Sequence, residues 1–332
     1  MPCSARHAVV TGASTGIGRA TALRLCRDGF HVFATVRRDT DGQSLRQAAP
    51  GQLDWLLMDV TDTDQIAEVA RAVRDHVGPA GLDVLVNNAG VGLAWPVELV
   101  PLDRFRWQFG INVDGQIAVT QAYLPMIRQA AGRIVMIGSI GDRITMPFGG
   151  PLAAAKHALR SLTDALRLEL APWNIRVILI EPASIRTNAI DKLDRDVKAA
   201  EHDFGPDGWA LYGDAFTHMA TRALAREAHG SHPDAVAAVI SRAVHAAQPK
   251  TRYLAGKDAR LLATVARLPA PVLDRLRRRF FDLPRPGSAA RTGGARGRSV
   301  TAGAPPRDTR TGSPRSTSPR SALAADADAR RT

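Results

Sequence analysis

RHAVVTGASTGIGRATALRLCRD, residues 6–28, decides the fold of this 332-residue chain. Its first six residues are a short apolar run, and its last ten, from Arg19, carry the spacing of an amphipathic helix. Between them GASTGIG sets Gly12, Gly16 and Gly18 in a turn from strand to helix. Glycines there let backbone N–H groups and the positive end of a helix meet a pyrophosphate with no side chain in the way. A single Gly-rich turn is weak evidence, and the G-x-x-x-G-x-G spacing differs from G-x-G-x-x-G. The rest of the chain supplies the weight.

Further strands are expected at 31–36 (HVFATV), 53–60 (LDWLLMDV), 82–90 (LDVLVNNAG), 133–139 (RIVMIGS), 175–182 (IRVILIEP) and 252–256 (RYLAG). Helices separate them: a short helical stretch within the polar segment 39–51, one over 61–78 whose Thr and Asp residues suit an N-cap, one from about 103 to 130, one running through Lys156 to Arg167, and one at about 235–247. The segment 183–230 reads as long and irregular with weak helical character. Short continuous apolar strands alternating with helices predict a parallel sheet covered on both faces. The fold class is therefore α/β, a doubly wound Rossmann-like sheet in a single domain over residues 1–257.

Residues 258–284 read as an amphipathic helical extension broken near Pro269 and Pro271, either packed on the domain or acting as a lid or membrane-surface helix. Residues 285–332 are Arg, Ala, Gly, Pro, Ser and Thr with almost no large apolar residue. Such a composition cannot bury enough surface to offset chain entropy, so a disordered tail is expected. That tail holds ten Arg against three Asp, seven of the net twelve positive charges, which leaves the body only mildly basic. With no aromatic platform or reading helix beside the arginines, nucleic-acid binding is not expected. Two cysteines suggest neither a disulfide framework nor a metal site, and without a signal pattern or a membrane span a cytoplasmic protein is expected.

After the Gly-rich turn the chain carries Asp59 behind the third strand, NNAG (87–90) behind the fourth, Asn112 in the next helix, Ser139 behind the fifth strand, Lys156, and EPASIRT behind the sixth. In this order the motifs, over about residues 5–190, resemble the classical short-chain dehydrogenase/reductase family. The later part resembles its steroid- and retinol-dehydrogenase-like branch less specifically. The resemblance implies that Gly12, Ser14, Gly16, Ile17 and Gly18 line a pyrophosphate, and that Asp59 and Val60 hold an adenine ring. It implies that Asn87, Ala89 and Gly90 contact the adenosine side, and that Pro182, Ile185 and Thr187 fix a nicotinamide. Arg37 and Arg38 stand where an acidic residue would bond a ribose 2′-hydroxyl, which favours NADP(H) over NAD(H), with Asp39 as the residue that argues the other way.

The family's chemistry, carried over, makes Ser139 the group that orients the substrate oxygen, Asn112 the support of a water, and Lys156 the group that bonds the nicotinamide ribose and lowers the pKa of a Tyr four residues earlier. Here that position is Leu152. Losing a positioned general acid costs about 10² to 10⁴ in rate. Two readings follow: an NADP(H)-dependent carbonyl/alcohol oxidoreductase with weak or unconventional turnover, or a silent NADP(H)-binding sensor or partner subunit. Phe204, Trp209, Leu211, Tyr212, Phe216 and Met219, with Trp95, suggest an apolar pocket for a lipophilic alcohol or ketone, although ordinary packing explains many of them. The resemblance also implies a homodimer or tetramer, through helices near 103–130 and 152–170.

Overall fold

The computed structural model describes residues 6–186 and 189–288, with the backbone alone over 189–196. The chain divides into two units, Met1–Arg285 and Pro286–Thr332, and every element named below lies in the first. Its seven strands are β1 (Arg6–Val10), β2 (Phe30–Val36), β3 (Leu53–Leu57), β4 (Val84–Asn87), β5 (Arg133–Ile137), β6 (Arg176–Pro182) and β7 (Arg252–Ala255). They form one parallel sheet in the order β3-β2-β1-β4-β5-β6-β7. The order reverses between β1 and β4, so the helices that follow these two strands go to opposite faces of the sheet and leave a crevice at the strands' carboxyl ends.

The strands are continuously apolar because alternate side chains serve two cores. Along β1, Ala8 and Val10 join the core of one face, with Leu25 of α1 (Gly16–Arg27), Leu45 of α2 (Asp39–Ala48) and Ile240 from α8 (Pro233–His245). Val9 points the other way, to a core shared with Val69 and Val73 of α3 (Thr63–Val77) and with Tyr123 and Leu159. Cys26 is buried on α1 with its Sγ 3.3 Å from the Gln52 carbonyl, and burial pushes its thiol up to about 11. The N-terminus of α3 is capped by Asp62, which accepts from the N–H groups of Asp64 and Gln65, both at 3.0 Å. Such a cap stabilises a helix by about 1 kcal/mol.

Four expectations need correction. The third and fourth strands are shorter than 53–60 and 82–90, because pairing stops where the chain turns into the crevice. The helix at 103–130 is two helices, α4 (Leu102–Phe109) and α5 (Gly115–Ala130), joined by a π turn, Gly110–Asp114. That wider turn lies where the helix meets the β3 loop so closely that a Cβ at Gly115 would stand 2.5 Å from the Val60 carbonyl oxygen. The segment 183–230 is mostly helix, α7 (Ala189–Ala228), kinked at Gly205, whose φ is 68°. Its buried Ala200 and Phe204, then Phe216, Met219, Ala220 and Ala223, have helical spacing, but the Gly205-Pro206 break shifts the register between them and masks the period.

The extension is two helices, α9 (Ala259–Val265) and α10 (Ala270–Phe280), separated at Pro269, with Leu273 and Phe281 buried and Leu261, Val272, Leu276 and Phe280 exposed. α6 (Gly150–Glu169) carries Lys156. Among the described residues no helix is long and apolar enough to cross a membrane. The expected disordered tail lies outside the described residues from 289 onward.

Candidate active site

The loops of β1 and β4 are stitched together at the switch point. Thr11 Oγ1 accepts from the N–H groups of Asn88 (2.9 Å) and Ala89 (3.0 Å), and Asn88 Nδ2 donates to the carbonyls of Thr11 (2.9 Å) and Gly12 (3.1 Å). Thr11 and Asn88 were not singled out from the sequence, although both lie inside the quoted motifs. Gly12 takes φ +63°, and a Cβ there would stand 2.9 Å from Ala89 Cα. At Gly18 a Cβ would meet the Gly12 carbonyl oxygen at 2.3 Å and Asn88 Nδ2 at 2.4 Å. Ser14 and Ile17 lie partly exposed on this loop. Thr15, at the N-cap of α1, makes no side-chain cap bond, so the first-turn N–H groups face the crevice without a side-chain partner. These features fit a pyrophosphate.

Around it the other expected contacts separate. Asn87 is fully buried, and its Nδ2 donates to Thr120 Oγ1 at 2.8 Å. Its side chain therefore belongs to the core, leaving only its backbone for a nucleotide. Asp59 Oδ1 accepts from both the N–H (2.9 Å) and hydroxyl (2.8 Å) of Thr61, which shapes the turn behind β3, and Val60 is buried beneath it. Arg37 and Arg38 are exposed at the end of β2. Arg38 forks onto Asp41 at 3.0 and 3.1 Å, whereas Arg37 forms no ion pair among the described residues. Asp39 is drawn to Trp55 Nε1 (2.9 Å) and Gln43 Nε2 (2.5 Å).

Asn112 and Lys156 converge. Gly90 sits between Asn112 and Lys156: a Cβ on it would lie 3.1 Å from Asn112 Oδ1 and 3.8 Å from Lys156 Nζ. Asn112, in the π turn, is fully buried and bonds the N–H and carbonyl of Val91, both at 2.8 Å. Lys156 Nζ donates to the Ile137 carbonyl at 2.8 Å. Burial lowers the lysine to about 8, with the Asp142 charge opposing. Ser139, two residues beyond that carbonyl, accepts the Gly141 N–H on its Oγ at 3.0 Å. Leu152 is one helical turn before Lys156 on the same face, and its Cδ2 is 3.8 Å from where a Cβ on Gly92 would stand. An isobutyl group thus occupies the mouth between α6 and the β4 loop.

No tyrosine replaces the missing phenol. Tyr123 is buried in the core and burial raises its pKa. Tyr212 bonds Glu98, and the Tyr253 hydroxyl accepts from the Lys250 N–H at 2.9 Å. His157 bonds the Ala153 carbonyl at 2.9 Å on its own helix.

Behind Ser139 lies a group the sequence did not flag. Asp142 and Glu181 are both fully buried, and Arg143 grips Glu181 in a fork of 2.6 and 2.7 Å. Arg160 Nη1 is 3.7 Å from Asp142 Oδ1. Desolvation, then the charge of Glu181 and a hydrogen bond with it, push Asp142 up to about 8, more than the two arginines pull it down. Raised that far, Asp142 keeps its proton into the neutral range. The available signal was a carboxylate three residues past Ser139.

Pro182 ends β6, buried, and Ile185 pairs with Ser231 in an isolated bridge. Thr187 lies outside the described residues. Trp95, Phe204, Phe216 and Met219 share an apolar cluster, with ring centroids 5.0 Å apart for both Trp95–Phe204 and Phe204–Phe216. Trp209 packs against its edge, while Leu211 is exposed and Tyr212 half-buried.

The family model for short chain dehydrogenases matches residues 6–198. Mouse (Mus musculus) retinol dehydrogenase 5 is 35% identical over 296 residues, 87% of this chain and 92% of that protein. The NADPH-dependent 3-dehydrocapnine reductase of Ornithobacterium rhinotracheale is 32% identical over 277 residues, 82% and 95% of the two chains. A short-chain dehydrogenase structure from Streptomyces avermitilis superposes with a TM-score of 0.66 at 30% identity, covering 88% of this chain and 98% of that one. The chain thus belongs to the short-chain dehydrogenase family of oxidoreductases, resembling its steroid- and retinol-type members.

Proposed function

We propose that the protein is an NADP(H)-dependent oxidoreductase acting on a lipophilic alcohol or ketone, with the proton step weakened by Leu152. The observation that carries this reading is the convergence of Asn112 and Lys156 on Gly90, at the mouth of a crevice whose glycines leave room for a pyrophosphate. When bound, the cofactor would supply or accept the hydride. Gly12, Ser14, Gly16, Ile17, Gly18, Ala89 and Gly90 would hold its phosphate and adenosine side with Asp59 and Val60; Pro182, Ile185 and Thr187 would hold its nicotinamide. Arg37 and Arg38 would select the 2′-phosphate. Ser139 would orient the substrate oxygen, and the Lys156 ammonium, lowered toward neutrality, would supply positive charge and a proton beside it. The aromatic cluster of Trp95, Phe204 and Phe216 supports an apolar substrate.

The second reading, a silent NADP(H)-binding sensor or partner subunit, is favoured by one observation: all three tyrosines are committed elsewhere. A cytoplasmic homo-oligomer accords with either reading, and Leu102, Trp107 and Leu168 are exposed on the helices that would meet. Leu152→Tyr decides between the two. In an otherwise complete enzyme it raises NADPH-dependent reduction of lipophilic ketones and aldehydes by about 10² or more, and Lys156→Ala in that background removes the gain. A folded, NADPH-binding Leu152→Tyr protein without any gain across such a panel supports the silent reading. Efficient turnover by the unaltered protein would overturn the weakened proton step.

A further inference from the structure

We propose that His7, His31 and His76 form a three-imidazole site for a divalent transition cation at the amino-terminal edge of the sheet. The three residues are far apart in sequence and meet through topology. His7 and His31 are direct partners in the parallel pairing of β1 with β2, and His76 stands in the last turn of α3, which covers that face. One ring nitrogen from each lies within 4.8 Å of the others. The ring centroids are 4.6 Å apart for His31–His76 and 6.0 Å for each of the other two pairs.

Two further observations point to a ligand. His7 is only 7% exposed, yet its Nδ1 is shut away from water without a hydrogen-bond partner; a buried lone pair or N–H of this kind calls for an occupant. His31 Nε2 is 2.7 Å from Asp54 Oδ2, the carboxylate–imidazole contact that fixes tautomer and ring orientation in metal sites and leaves the other nitrogen as a lone pair. Phe33 stacks on His31 with centroids 4.7 Å apart, so the ring is held in place.

Burial lowers His7 and the neighbouring His31 and His76 add to it, while Asp83, whose carboxylate accepts the His7 backbone N–H at 2.7 Å, and a hydrogen bond with the Gly81 backbone oppose them. Three nitrogens without a thiolate, and with carboxylates only behind them, suit Zn²⁺, Co²⁺, Ni²⁺ or Cu²⁺ and not Mg²⁺ or Ca²⁺. Zinc–imidazole bonds of about 2.0–2.1 Å require the nitrogens to close by roughly 1.5 Å. His76, exposed at a helix end, can make that movement while strand pairing holds the other two. The site lies at the opposite end of β1 from Gly12, so the cation would tie β1, β2 and α3 together and take no part in hydride transfer.

The test uses the full chain purified without a polyhistidine tag and freed of metal by chelator. Calorimetric titration with Zn²⁺ is expected to give one site per chain and a rise in melting temperature that Mg²⁺ does not produce. Co²⁺ should give the visible absorption of a four-coordinate nitrogen site. His76→Ala should lower Zn²⁺ affinity by at least about tenfold with the metal-free melting temperature nearly unchanged, and Asp54→Asn by about 10- to 100-fold. Absence of a stoichiometric Zn²⁺ site, or Zn²⁺ affinity unaltered in His76→Ala, would overturn the proposal. The readouts are independent of turnover, so this outcome and the outcome for Leu152 stand apart.

Discussion

Asp142 and Glu181 bring two carboxyl groups together where water is excluded, and of the two only Glu181 sits in a guanidinium fork. The consequence is a pH dependence of stability with a defined sign. Asp142 is raised from the ordinary carboxylate value to about 8, so between about pH 4 and 8 the folded chain holds a proton that the unfolded chain has lost. Its contribution is full at low pH and is lost as pH climbs to 8. Lys156, lowered to about 8, acts in the next window: from about pH 8 to 10.5 the unfolded chain holds the extra proton, and stability recovers as pH rises. Melting temperatures measured against pH should pass through a minimum near 8. Asp142→Asn, whose amide can donate to Glu181, should flatten the falling limb and raise the melting temperature at pH 8 by roughly 5 °C. Lys156→Met should flatten the rising limb.

Arg37 and Arg38 should contribute unequally to cofactor choice. Arg38 is engaged with Asp41, whereas Arg37 forms no ion pair among the described residues. Arg37→Ala should weaken NADPH binding by about tenfold, the size of a lost charge-assisted hydrogen bond, and leave NADH unaffected. Arg38→Ala should do less. Fluorescence titration of the two dinucleotides checks this, and equal affinities in the unaltered protein would refute the NADP(H) assignment.

Gly18→Ala tests the cradle. The added methyl would meet the Gly12 carbonyl and the Asn88 amide far inside contact distance, so the two loops must part. Dinucleotide affinity should fall at least about tenfold and stability by about 1–3 kcal/mol. A variant with unchanged titration curves would place the nucleotide elsewhere.

Removing residues after Arg285 should leave melting temperature and NADPH affinity within error of the full chain, because the removed composition lacks core-forming side chains. A drop of several degrees in a thermal scan would show that the tail docks.

The sheet was legible in the sequence because each of its strands is a short apolar run bounded by polar or Gly-rich turns, and Gly12, Gly16 and Gly18 announced the crevice. What escaped was set by tertiary contact. Helix α7 hid because Gly205 shifts its apolar period midway. Asn87 and Asn88 are adjacent and alike on paper, yet strand alternation sends one side chain into the core and the other across the loops. Asp142 looked like a loop carboxylate until the approach of Glu181 and the loss of solvent gave it a proton. His7, His31 and His76 carry no spacing motif, since strand pairing and the return of α3 alone bring them together.

The burial of Cys26 makes the α1–β2 layer its own stopwatch. A thiol reacts as thiolate, and this one is sealed in the core and held up to about 11, so an alkylating reagent must wait for the layer to part. At a fixed reagent concentration, the slow phase of labelling at this position would count opening events directly. Its acceleration by denaturant, or its slowing by a bound dinucleotide, would report how tightly the nucleotide crevice and the adjoining core breathe together.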